Sequence, residues 1–174
     1  MLRKYLGALK TYLFVVIFKL FGINAIVVRA TTVALGLLIL ILVYLWTSRL
    51  FNRSVAFFSV ILLASDPNYI FHTRMDFGPV ALMLVFKMAA LGFLIHWWRS
   101  NKTFAFILSL FCLGLGVSDK ANFLWFVAAL VVTGIIIGGR ELWGKLRFRT
   151  IISGAAAFSL GAGPLILLNI LNPG

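Results

Sequence analysis

Three ionisable side chains lie within five positions of one another, between two long apolar runs. They are His72, Arg74 and Asp76, in the stretch NYIFHTRMDFGPVALM of residues 68–83. An arginine can bind a phosphate group through two parallel hydrogen bonds. Gly78-Pro79 predicts the start of a helix just beyond, and the N–H groups and dipole of a helix N-terminus attract anions. The stretch therefore predicts an anion site, with Asp76 just before the helix.

A second charged corner follows later in the chain, in the stretch VSDKANF. Ser118 or Asp119 is predicted to cap the helix that begins there, with Lys120 in its first turn. We expect both helices to point their N-termini toward the outer membrane face, so that Arg74 and Lys120 converge on one lipid-phosphate head group. The alternative is that these side chains are solvated interfacial charges whose acids only cap helices.

Other polar residues leave further chemistry open. His72 and Asp76 are four residues apart, but two ligands are too few for a metal site. We predict no cofactor, and a divalent metal stays an open alternative. Lys87 lies in the middle of an apolar run, where a charge costs roughly 2.5–3.5 kcal/mol. Lys87 could have a functional role. Alternatively, its side chain could extend to the membrane surface or contact a partner subunit.

The composition indicates a membrane environment for these residues. Of the 174 residues, 63% are hydrophobic and 11% are charged, whereas soluble domains are about half apolar and a quarter charged. The net charge is +12, and most of the basic residues lie in short loops between apolar runs. Binding of nucleic acid is therefore not predicted. The single Cys112 excludes an internal disulfide.

The apolar runs predict an all-α, polytopic transmembrane helix bundle of residues 25–174 with about six spans. Residues 1–24 predict an interfacial helix that ends at Gly22. Pro67 should interrupt the second span, with Asp66 capping the short helix that follows. The predicted spans are residues 25–47, 54–71, 77–98, 103–118, 121–137 and 151–171.

Loop charges predict the orientation of the bundle. Cytoplasmic loops carry an excess of Lys and Arg, and three loops here are basic. They hold Arg49 and Arg53; Arg99 and Lys102; and Arg140, Lys145, Arg147 and Arg149. These loops are therefore expected in the cytoplasm, and the two charged corners on the extracytoplasmic face. The small residues Gly114, Gly116 and SGAAAFSLGAG predict close helix packing.

Four motifs occur in this sequence in the same order as in a known protein family. The motifs are YLGALKTYL with FGINAIVVRATTVALG, then SRLFNRSVAFFSVILLASDPNYIFHTRMDFGPVALM, then LGLGVSDKANFLWF, then GAGPLILLNILNPG. This succession is similar to the bacterial polyprenol-phosphate-dependent GT-C glycosyltransferases. That family includes relatives of protein O-mannosyltransferases and lipid A aminoarabinose transferases. The resemblance extends over nearly the whole chain.

The resemblance implies a function and roles for individual residues. Such enzymes pass a sugar from a polyprenyl-phosphate carrier to an acceptor at the outer face of the bacterial inner membrane. Arg74 matches the arginine that helps to hold the carrier phosphate, and Asp76 would orient that arginine or the acceptor. Lys120 and Lys10 match basic residues near the site. Asp119 and His72 are the remaining candidates for substrate binding.

The resemblance also implies that the sequence is a fragment. The family's acidic general base lies in a first external loop, and no acidic residue precedes Asp66 here. The base is therefore expected upstream of Met1, and the chain alone is expected to be inactive. Its partners would be the polyprenyl-phosphate sugar, membrane lipids and possible further subunits. The rival functions are a small transporter or channel around Lys87, and a non-catalytic subunit of a membrane complex.

Overall fold

A computed structural model describes residues 9–74 and 80–171 of the chain. Within these residues the chain forms eight α-helices and no β-strand, which confirms the predicted all-α class. The helices are α1 (Leu9–Phe21), α2 (Ala25–Leu50), α3 (Arg53–Ala64), α4 (Pro67–Arg74), α5 (Val80–Ser100), α6 (Thr103–Asp119), α7 (Phe123–Lys145) and α8 (Phe148–Leu171).

Several helices are apolar enough to lie in a membrane. In the described residues, α2 and α5 are long enough to cross it, and α3 with α4 would make a third, bent span. The 17-residue α6 is apolar but shorter, as its predicted limits indicated. Large side chains such as Leu62, Trp125 and Ile137 are more than 70% exposed. Lipid contact explains this exposure, since water would disfavour it.

The break between α3 and α4 has the predicted local cause. The two helices are bent by 66° around Ser65 and Asp66, just before Pro67. The carboxylate of Asp66 accepts a hydrogen bond from the Tyr69 N–H at 2.8 Å. Asp66 is therefore the N-cap of α4, as predicted.

The first helix also ends where the sequence predicted. Gly22 has a φ of 78°, a left-handed conformation that glycine adopts without steric cost. Its N–H donates to the Phe18 carbonyl at 2.9 Å, which closes the last turn of α1. The position of α1 at the membrane interface stays a prediction.

Lys10–Met88 form a compact N-terminal unit. Its core contains Ile39 from α2, Tyr69 from α4 and Val85 from α5. Asn52 caps α3 by accepting from the Val55 N–H at 2.8 Å, and α3 packs along α2.

The described residues from Ala89 onward form a second, C-terminal unit. Its main contact joins α6 to α8, with Gly114 and Gly161 at the crossing. A Cβ on Gly114 would collide with the Phe158 carbonyl oxygen, and one on Gly161 would lie 2.5 Å from the Phe111 carbonyl oxygen. The hydroxyl of Ser118 donates to the Gly161 carbonyl at 2.8 Å. The close packing predicted from small residues is thus confirmed for this pair.

Candidate active site

The second charged corner differs from its prediction. Ser118 and Asp119 are the last residues of α6, and Lys120 is its C-cap, whose N–H donates to the Gly116 carbonyl at 3.1 Å. The next helix, α7, begins at Phe123 after the N-cap Asn122. The predictions that Ser118 or Asp119 caps a new helix and that Lys120 lies in its first turn are therefore wrong.

The packing of α6 against α8 explains this difference. The bond from Ser118 to Gly161 holds the last turn of α6 in helical form, so the hydroxyl does not cap a new helix. Asp119 is completely buried, so it is not the solvated interfacial charge of the alternative interpretation. Lys120 is half-buried in extended backbone between α6 and α7.

Arg74 lies in a cavity of the N-terminal unit. The cavity has a volume of about 730 Å³ and is open on one side. A second arginine, Arg29 of α2, lines the same cavity, and both side chains are exposed. The other walls come from Val33 of α2 and from three residues of α4, namely Pro67, Ile70 and Phe71. The cavity therefore combines two permanent positive charges with apolar walls.

Close contact between α4 and α2 positions Arg74. The buried Tyr69 hydroxyl donates to the Gly36 carbonyl, and a Cβ on Gly36 would lie 2.9 Å from the Thr73 methyl carbon. Thr73 itself is buried and donates to the Tyr69 carbonyl at 2.8 Å. Only a glycine at position 36 lets α4 approach so closely, and Arg74 directly follows Thr73.

A smaller cavity continues from the first along α2. Its volume is about 220 Å³, and it shares Val33, Ile70 and Arg74 with the larger one. Beyond these residues it is lined by Leu37, Leu40 and Ala64, among others. Arg74 thus borders both cavities, and the walls of the smaller one are mostly apolar.

The other predicted site residues have separate surroundings. His72 is half-buried in α4 and contacts the Phe71 ring edge to face, with ring centroids 5.7 Å apart. The ammonium of Lys10 lies over the Phe14 ring in α1, 5.6 Å from its centroid. Lys87 is half-buried in α5. Asp76 and Gly78-Pro79 lie outside the described residues.

A metal site receives no support from the part of the chain that the structure describes. There, no group of three His, Cys, Asp or Glu residues could hold a metal ion. The expected roles of His72 and Asp76 in substrate binding stay predictions.

Arg29 is the residue that reasoning from the sequence missed. It is the only charged residue within the predicted span 25–47. An ionisable residue inside a span is a functional-site hypothesis by default, so this pattern could have identified it. Its proximity to Arg74 could not be foreseen, because it depends on the contact between α4 and α2.

The apolar helices and the cavity define an integral membrane protein with two arginines in one cavity. The profile of the dolichyl-phosphate-mannose-protein mannosyltransferase family matches residues 8–166. The match covers most of the chain, so the protein belongs to this family of membrane glycosyltransferases of the GT-C type, and the resemblance is confirmed. No curated protein and no solved structure matches the chain significantly.

Proposed function

We propose that the N-terminal unit holds the phosphate of a polyprenyl-phosphate sugar between Arg29 and Arg74. The single observation that carries this proposal is that both arginines line one cavity. Two guanidinium groups offer ten N–H donors to a phosphate in a rigid, planar geometry. Arg29 lies about 6 Å along the axis from the start of α2, so the cavity is near one end of that helix.

The shape of the cavity fits a ligand with a charged head and an apolar chain. The arginines border its charged part, and the space along Leu37, Leu40 and Ala64 would take the first isoprene units. A soluble sugar phosphate would gain nothing from these apolar walls. We therefore favour a lipid-linked donor.

The transfer breaks the bond between the anomeric carbon and the phosphate oxygen, and forms a bond from an acceptor hydroxyl to that carbon. The polyprenyl phosphate leaves with an additional negative charge, which Arg29 and Arg74 would stabilise. The acceptor proton goes to a general base, which the family resemblance assigns to an acidic external loop. We place the reaction on the extracytoplasmic face of the bacterial inner membrane.

A binding experiment tests the arginine pair. The detergent-solubilised chain is titrated with polyprenyl phosphate, with the uncharged polyprenol as comparison. Arg29→Gln and Arg74→Gln should each weaken binding of the phosphate roughly ten- to hundredfold, since a hydrogen bond to a charged group contributes about 1.5–3 kcal/mol. Neither variant should change the weak binding of polyprenol.

Arg53→Gln is the matched control. Arg53 is an exposed arginine at the start of α3 in the same unit, and it does not line the cavity. Unchanged binding by Arg53→Gln supports the proposal. If all three variants lose the same affinity, or if Arg29→Gln and Arg74→Gln bind like the parent, the assignment is wrong.

A further inference from the structure

Two basic turns of the C-terminal unit are joined to each other. Lys145, the last residue of α7, donates from Nζ to the Trp98 carbonyl near the end of α5 at 2.7 Å. The same ammonium lies 4.6 Å from the centroid of the Trp98 ring. These two contacts hold the turn between α7 and α8 beside the turn between α5 and α6.

The joined turns expose positive charge around an apolar side chain. Arg147 and Arg149 are exposed, and Phe148 between them is 78% exposed. Lys102 is exposed on the neighbouring turn. Glu141 is the only acidic residue after Asp119 in the sequence, so the local charge is strongly positive. Basic residues around an aromatic side chain are typical of a membrane surface.

An apolar groove begins at the same turn. Leu146 and Ile151, on either side of the arginines in the sequence, line a groove of about 480 Å³. Phe106 and Leu110 of α6 and Ala155 and Phe158 of α8 continue its walls. From Ile151 to Phe158 the groove follows α8 for about 10 Å, and one leaflet of hydrocarbon is about 15 Å deep.

We propose that this groove is a binding site for one anionic phospholipid. The phosphate of the head group binds Arg147 and Arg149, and one acyl chain lies against Ile151, Ala155 and Phe158. Charge complementarity selects the occupant, because a zwitterionic head group would bring its own ammonium toward the same basic residues. The site belongs to the C-terminal unit and does not depend on the proposed sugar-donor site.

Native mass spectrometry of the detergent-solubilised full chain tests this site. The chain is titrated with phosphatidylglycerol and, separately, with phosphatidylcholine of the same acyl chains. The parent should retain one phosphatidylglycerol at concentrations where it retains no phosphatidylcholine. Arg147→Gln with Arg149→Gln should weaken this binding roughly 30-fold, from the usual contribution of two basic groups near an anionic lipid surface.

Three further variants make the result specific. Arg49→Gln with Arg53→Gln removes the same charge from the basic turn between α2 and α3, and should leave binding unchanged. Arg147→Lys with Arg149→Lys keeps the charge and should keep most of the affinity. Ala155→Trp fills the groove without changing charge and should weaken binding at least tenfold. The melting temperature of each variant shows that it is folded.

Other outcomes would overturn the proposal. If Arg49→Gln with Arg53→Gln weakens phosphatidylglycerol binding as much as Arg147→Gln with Arg149→Gln does, net charge alone attracts the lipid. If the parent retains phosphatidylcholine as well as phosphatidylglycerol, the assignment of the anionic head group is wrong. If Ala155→Trp binds phosphatidylglycerol like the parent, the acyl chain does not lie in the groove.

Discussion

At the scale of single residues, Tyr69 and Gly36 determine where Arg74 lies. The Tyr69 hydroxyl is the only side-chain group that we find bonded from α4 to the α2 backbone within the described residues. Gly36 provides the space for Thr73 beside it. The proposed phosphate-binding role of Arg74 therefore also depends on Tyr69 and Gly36.

Tyr69→Phe tests this attachment. The variant keeps the ring in the core and removes the hydrogen bond to the Gly36 carbonyl, so we expect a loss of about 1 kcal/mol in unfolding free energy. The measurement is thermal or denaturant unfolding in detergent micelles. Tyr12→Phe is the control, because the Tyr12 side chain is 58% exposed in α1. If Tyr12→Phe lowers the unfolding free energy as much as Tyr69→Phe does, the hydrogen bond from Tyr69 to the Gly36 carbonyl does not contribute specifically to stability.

Local chemistry decides which single residues the sequence can predict. Asp66 before Pro67 and Gly22 after an apolar run each have one sterically simple role, and both predictions are confirmed. The stretch SDKAN offers several possible caps, and the contact of Ser118 with Gly161 selects among them. Arg29 becomes part of a site only through the packing of α4 on α2, which no local pattern encodes.

At the scale of helices, small residues create the most extensive helix contact in the C-terminal unit. Gly161 and Gly114 let the backbones of α6 and α8 approach each other directly. In lipid, such close packing replaces the hydrophobic effect as the main source of association between helices. The sequence predicted the small-residue faces, but it could not specify which glycine meets which carbonyl.

Gly161→Ala should destabilise the contact of α6 with α8. The new methyl group would lie 2.5 Å from the Phe111 carbonyl oxygen, and such overpacking typically costs about 1–3 kcal/mol. Gly139→Ala in α7 is the matched control, because a Cβ there meets nothing within 4 Å. It should be neutral or slightly stabilising, since alanine favours helices over glycine. Unfolding in micelles compares the two, and equal stability of both variants would contradict the tight contact.

At the scale of the whole molecule, the apolar helices establish a membrane protein, and the loop charges add an expected orientation. Most helix limits agree with the predicted spans to within a few residues, because long apolar runs in lipid must form helices to satisfy their backbone groups. The exception is α7, which continues eight residues beyond the predicted end at residue 137, to Lys145. The orientation has a different origin, since it depends on the charge of the loops and not on packing. It therefore needs a separate test.

The α6 helix offers that test, because its two ends carry different sequences. Its 17 residues extend about 25 Å, so Lys102 and Asn122 should reach opposite faces of the membrane. We expect Lys102, on a basic turn, to face the cytoplasm and Asn122 to face outward. In a Cys112→Ser background, a membrane-impermeant maleimide added to intact spheroplasts should label Asn122→Cys and not Lys102→Cys. Permeabilised cells should label both. If only Lys102→Cys is labelled in intact spheroplasts, the orientation is the reverse of the expected one. If both variants are labelled there, α6 does not span the membrane.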